Sequence, residues 1–146
     1  LDVGKKRIGL AISDELRLTA QGLATYQRVR IRDDLAALRA LAHERGVVQL
    51  VIGNPLHLSG DDSRQSAYVG EFAARLGQYT GLPVALWDER LTSKQAGRVL
   101  RESGISIDKR AKAVDKLSAV LILESYLDAW RDAPPLHADD WGGPGE

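Results

Sequence analysis

Four acidic residues are placed where carboxylates could do chemistry. Asp2 stands between Leu1 and Val3, in a run whose neighbours favour burial. Aspartate is depleted in strands, and an ionised carboxylate there is costly without a partner. It either bonds the backbone of a turn at Gly4 or holds a divalent cation from a central strand. Asp88 and Glu89 directly follow the apolar run Val84–Trp87, at the end of a parallel strand, where open α/β sheets place their ligand sites. Adjacent strand side chains point to opposite faces, so only one of the two can share a face with Asp2. The residues alone leave that choice open, and a surface turn with a local salt bridge to Arg90 is the alternative. Asp115 precedes the small residues Ser118 and Ala119. It reads either as an acid near a helix start, favoured by capping and by the dipole, or as a third carboxylate on a helix that packs close to the sheet.

Three acids from separate segments make a hard, all-oxygen site suited to Mg²⁺ or Mn²⁺ and not to zinc. Two such ions about 4 Å apart can activate a water and stabilise the leaving oxygen in phosphodiester hydrolysis. No competing constellation is visible. The sequence has no cysteine, which excludes disulfides, thiolate catalysis and zinc–sulfur sites. His43, His57 and His137 lack metal-ligand spacing. Lys6, Arg7 and Arg90 adjoin the acidic positions, and Lys109, Arg110 and Lys112 lie beside Asp115; these cations are candidates for backbone phosphates, contacts that hold a strand without reading its bases. Tyr26, Tyr68 and Trp87 are the aromatics available for base stacking.

The elements that must position these groups can be read from periodicity and punctuation. Leu1–Val3, Ile8–Ser13 and Thr19–Gln27 predict three short strands in an antiparallel meander. A helix beginning at Asp33 or Asp34 carries Leu35, Leu38, Leu41 and Ala42, and Gly46 follows as its left-handed cap. Val47–Ile52 suits a strand buried on both faces. Gly53-Asn54-Pro55 breaks it, and a loop runs to about Asp62. A second helix covers Ser63 to Tyr79, and Val84–Trp87 forms another strand. Thr92 with Gln95 fits a capping box for a helix that stops near Gly104. A basic, irregular stretch, Ile105–Ala113, precedes a final helix from Val114 to Arg131. Three strands followed by α-β-α-β-α predict an α/β fold, a mixed five-stranded sheet flanked by helices.

Bulk properties bound the reading. At 146 residues there is length for one domain with a real core, expected over residues 1–132, with a flexible tail over 133–146. The chain opens in the middle of a strand, so further residues are expected before Leu1. With 44% hydrophobic and 27% charged residues, the composition is that of an ordinary globular protein. No membrane-length apolar run or signal pattern is present, so a cytoplasmic location and no membrane partner are expected. The formal charge is zero, but the tail carries three acids and no base, leaving residues 1–132 at +3. Any attraction for phosphate must therefore be local.

Four segments in order resemble one family. Asp2-Val3-Gly4-Lys5-Lys6-Arg7-Ile8-Gly9 is similar to the D-x-G-x-K/R-R-I-G opening of the YqgF (RuvX) family, relatives of the RuvC-type Holliday-junction resolvases. Val51-Ile52-Gly53-Asn54-Pro55-Leu56, continuing to Gly60, resembles its G-x-P loop. Asp88-Glu89-Arg90-Leu91-Thr92-Ser93 resembles D-E-R-x-[ST]-[ST], and the run from Asp115 to Leu123 resembles D-x-x-A-A-x-x-I-L, with Ser118 where alanine is frequent. The resemblance covers about residues 1–130. It implies a ribonuclease H-like fold and Asp2, Glu89 and Asp115 as catalytic, metal-binding carboxylates, with Glu89 chosen over Asp88 on the family pattern. It further implies a Mg²⁺- or Mn²⁺-dependent nuclease, an endonuclease that could also act as an exonuclease. Its expected role is processing of the 5′ end of pre-16S rRNA in ribosome biogenesis. The alternative is resolution of branched DNA. A nucleic-acid partner is expected, with the protein a monomer or homodimer.

Two other classes compete. An actin-like ATPase or sugar kinase shares this fold, but needs two such domains around its nucleotide, and no P-loop occurs. A non-catalytic nucleic-acid-binding module is disfavoured by the three intact carboxylates, although fold by itself does not decide function.

Overall fold

The computed structural model describes residues 1–55, 60–88 and 107–131; at 60–63, 107–115, 130 and 131 the description is of the backbone alone. Five strands open the chain: β1 (Asp2–Val3), β2 (Arg7–Gly9), β3 (Ala11–Ser13), β4 (Ala20–Gly22) and β5 (Tyr26–Gln27). Then follow α1 (Ile31–Glu44), β6 (Leu50–Asn54), α2 (Gly60–Thr80), β7 (Val84–Asp88) and α3 (Ile107–Arg131).

β2 pairs antiparallel with both β1 and β5, and β3 pairs antiparallel with β4. β6 and β7 are parallel, in the register Leu50↔Val84 through Asn54↔Asp88. Backbone bonds at Leu1 join the two parts: its nitrogen donates to the Val51 carbonyl at 2.6 Å, and its carbonyl accepts from Gly53 N–H at 3.0 Å. That pattern is a parallel bridge with Leu1 opposite Ile52. The strand order is therefore β5-β2-β1-β6-β7, the mixed sheet that the sequence predicts.

Alternation divides the side chains between two layers. Val3, Ile8, Leu50 and Ile52 pack with Leu35 and Leu38 of α1 and with Val69, Phe72 and Leu76 of α2. Val51 and Ala85 face the other way, onto Ile122, Tyr126 and Leu127 of α3. A strand apolar on both faces is how β6 reads in the sequence, and burial on both faces is what it undergoes. α3 lies close to the sheet: a Cβ added to Gly22 would stand 2.5 Å from Cε of Lys116, and Ser118 and Ala119 are both almost fully buried.

Several boundaries differ from expectation. Ile8–Ser13 is split at Leu10, and Thr19–Gln27 holds two short strands rather than one. The first helix starts at Ile31, β6 starts three residues after Val47, and the loop after Pro55 gives way to helix at Gly60. The largest correction is at the final helix. It begins at Ile107, so most of the stretch expected to be irregular is its first turns. Lys109, Arg110, Ala111, Lys112 and Ala113 are good helix formers with no glycine or proline among them, and their charge does not oppose a solvated helix. Gly46 takes the predicted left-handed conformation, with φ 66°. The helix expected from Thr92 to Gly104 and the tail after residue 132 lie outside the described residues.

Candidate active site

Asp2 sits at the junction of the antiparallel and parallel parts of the sheet. It pairs with Gly9 on β2. With Leu1 opposite Ile52 and Ile52 opposite Leu86, the next row across the sheet is Gly9, Asp2, Gly53 and Trp87. Residues in one row share a face. Trp87 packs with Tyr126 of α3, rings at 5.4 Å and 89°, and donates from its indole to Ser125 Oγ at 3.0 Å. The half-buried Asp2 carboxylate is therefore on the α3 face. Its neighbour on either side in that row is a glycine, so the two flanking strands bring no side chain beside it. An aspartate on this face, under a helix, has the oxygen-donor chemistry that a divalent cation takes.

The following row separates Asp88 from this site. Val3, Asn54 and Asp88 align there, on the face covered by α1 and α2. Val3 is in that core, and Asn54 Oδ1 accepts from Ser66 Oγ of α2 at 2.8 Å. Asp88 thus has its back to Asp2. Glu89 and Arg90 lie outside the described residues.

Asp115 belongs to α3 but not to its start. The helix begins at Ile107, putting residue 115 about two turns inside. A capping or dipole role, which falls off within the first turn, does not apply there. Helical spacing puts position 115 on one row with Ala119, Ile122 and Tyr126, all buried toward the sheet. The Ser118 hydroxyl is buried with no hydrogen-bond partner among the described residues. Among those same residues no cluster of three acidic or histidine groups is assembled.

Of the cationic candidates, Lys6 is exposed in the turn between β1 and β2, and Arg7 is half-buried at the start of β2, paired with Gln27. Lys112 lies in α3, and nothing beyond its helical backbone is described. The three aromatics come from separate elements, and each is tied by its polar tip. Trp87 is held by Tyr126 and Ser125, Tyr26 donates to Asp34 at 3.0 Å, and Tyr68 bonds Arg28. Their polar tips anchor the fold.

A cluster that the sequence reading missed lies beside the site. Asp34 is fully buried and accepts from Arg28 Nε at 2.8 Å, the Tyr26 hydroxyl at 3.0 Å and Val29 N–H at 3.0 Å. Burial raises its carboxyl, but the Arg28, Val29 and Tyr26 bonds outweigh that and leave it below the ordinary aspartate value. Burial and the Asp34 carboxylate push the Tyr26 phenol up. Arg28 is lowered by burial and raised more by Asp34 and Tyr68, for a net increase. The missed signal was positional: residue 34 precedes Leu38 and Leu41 at i+4 and i+7, so one of the two helix-starting acids belongs to the apolar face.

Comparison with known proteins fixes the lineage. A family model described as RuvX, Holliday junction resolvase, matches residues 1–129. The chain belongs to the RuvX (YqgF) family. Family members that carry the provisional name pre-16S rRNA nuclease align over nearly the whole chain. The protein of Koribacter versatilis is 55% identical over 128 residues, covering 88% of this chain and 84% of that one. That of Symbiobacterium thermophilum is 45% identical over 135 residues, covering 92% and 94%, and that of Myxococcus xanthus 42% over 144 residues, covering 97% and 94%. Among solved structures, T. thermophilus RuvC in complex with Holliday junction substrate superposes with a TM-score of 0.55 at 16% identity, over 92% of this chain and 96% of that one. The fold is thus the ribonuclease H-like fold that the four RuvX motifs imply. No helix among the described residues is long and apolar enough to cross a membrane.

Proposed function

We propose that this RuvX-family chain is a divalent-metal-dependent nuclease that hydrolyses phosphodiester bonds in RNA, processing the 5′ end of the small-subunit rRNA precursor. One observation carries the catalytic part: the sheet register puts Asp2, between two glycines, on the face covered by the helix that contains Asp115. The RNA substrate is inferred from the names of the relatives that match at 42% to 55% identity.

Asp2, Glu89 and Asp115 are the residues proposed to hold Mg²⁺ or Mn²⁺. Glu89 is preferred to Asp88 because Asp88 belongs to the far face of the sheet, and alternation makes its neighbour the candidate for the near one. When bound, such cations supply positive charge that makes a water nucleophilic and stabilises the departing oxygen. The protein's own part is positional. β1 holds the Asp2 carboxylate at a fixed height above the sheet, and α3 closes over it. Lys6, Arg7, Arg90 and Lys112 are proposed to steady backbone phosphates, fixing the strand without base discrimination.

The RuvC likeness and the wording of the family description favour a second substrate, a four-way DNA junction. Both readings are tested by incubating the protein and Asp2→Asn with labelled single-stranded precursor RNA and with a four-way junction, in Mn²⁺, Mg²⁺ or EDTA. Metal-dependent cleavage of RNA that Asp2→Asn abolishes is the expected result. Cleavage of the junction alone reassigns the substrate. Binding without cleavage under every condition overturns the enzyme in favour of a non-catalytic module, and full activity of Asp2→Asn removes Asp2 from the site.

A further inference from the structure

We infer that Arg28 is a positioning residue for the Asp2 site, acting through the Gly4 turn; this role rests on the nuclease reading above. Asp2 opens a two-residue strand, and the chain turns at Gly4, directly after Val3. Gly4 N–H donates to the Arg7 carbonyl at 2.9 Å, closing a tight turn through Lys5 and Lys6. A strand of two residues has little pairing of its own, so the turn that follows it helps to hold its register.

The structure supplies that hold from the opposite layer. Arg28 extends from the end of β5 with its side chain 8% exposed. Its Nη1 donates to the Gly4 carbonyl at 2.8 Å and also to the Tyr68 hydroxyl. Its Nε is fixed by Asp34 at 2.8 Å. The guanidinium lies 5.6 Å from the Tyr68 ring centre and 5.2 Å from that of Phe72. One planar group thereby ties the turn after Asp2 to α1 and α2. Gln65 of α2 adds a longer contact, 3.4 Å, to the Val3 carbonyl. Arg28 itself is on the far side of the sheet from the Asp2 carboxylate, and its charge is matched by Asp34. Its influence on the site is therefore through backbone position and not through field.

Lysine cannot reproduce this arrangement, because one ammonium on a flexible stem does not present a fork to Asp34 and Gly4 together. A misplacement of the order of 1 Å costs about 100-fold in rate. We expect Arg28→Lys to lower kcat at least tenfold, with KM for RNA within twofold of wild type. Mn²⁺ binding, read by electron paramagnetic resonance of the free ion with no substrate present, should weaken at least threefold. All assays are run well below the melting temperature of each variant. Tyr68→Phe keeps the ring and removes one anchor of Arg28, and serves should Arg28→Lys fail to fold. Its expected effect on both readouts is about twofold to fivefold in the same direction. A melting temperature that falls while kcat and Mn²⁺ affinity stay at wild-type values, in either folded variant, overturns the positioning role alone. Wild-type protein that neither binds Mn²⁺ nor cleaves overturns the nuclease reading, and this role with it.

Discussion

Replacing Asp34 by asparagine tests the physical account of the scaffold beneath the site. The carboxylate is fully buried, and its partner Arg28 is 8% exposed. Removing one member of such a pair leaves the other charge buried and unmatched, at a cost of about 3–5 kcal/mol. Asparagine keeps an acceptor for Val29 N–H or Tyr26, so the lower end, about 3 kcal/mol, is expected. For a chain of this size each kcal/mol moves the melting temperature by roughly 3–4 °C, giving a fall of about 10 °C. Urea unfolding followed by tryptophan fluorescence measures it, because Trp87 is packed on Tyr126 and bonded to Ser125. The pH dependence gives an independent check. Asp34 has a folded value below its ordinary 3.8, so its stabilisation is complete above that ordinary value. It disappears as pH falls through the depressed folded value. The gap between wild type and Asp34→Asn should therefore be constant near neutrality and shrink below about pH 4. A loss under about 1 kcal/mol at pH 7, the range of an exposed pair, or a gap that widens in acid, would refute the argument that this ion pair is a buried anchor.

Three further outcomes follow from the same geometry. Asp88→Asn should leave metal-dependent cleavage within about threefold of wild type while Asp2→Asn abolishes it, because the two carboxylates are on opposite faces; equal losses in a side-by-side nuclease assay would show the register argument to be wrong. Ser118→Ala should be neutral or stabilising by up to about 1 kcal/mol in urea unfolding, since it removes a buried hydroxyl that lacks a partner among the described residues. Gly46→Ala should destabilise by about 1 kcal/mol, because φ 66° suits glycine and strains any residue with a Cβ; thermal melting that rises instead would contradict the assigned cap.

The sequence alone determined the mixed α/β class, the two-faced burial of β6 and the family. Each of these depends on local pattern: apolar periodicity, glycine punctuation and four short motifs in order. It also marked Asp2 as anomalous, since an acid between leucine and valine is a visible conflict. It did not determine which face of the sheet Asp88 takes, because strand pairing sets the face, and a register shift of one residue reverses the answer. Nor did it place the start of the last helix, and so it left Asp115 with a capping role that the helix length removes. The Arg28–Asp34–Tyr68 cluster was hidden for a similar reason. Its members come from β5, α1 and α2, and nothing in the spacing of 28, 34 and 68 brings them together. Only the packing of those elements against the Gly4 turn does so, and burial then turns three ordinary polar residues into a linked cluster that holds that turn.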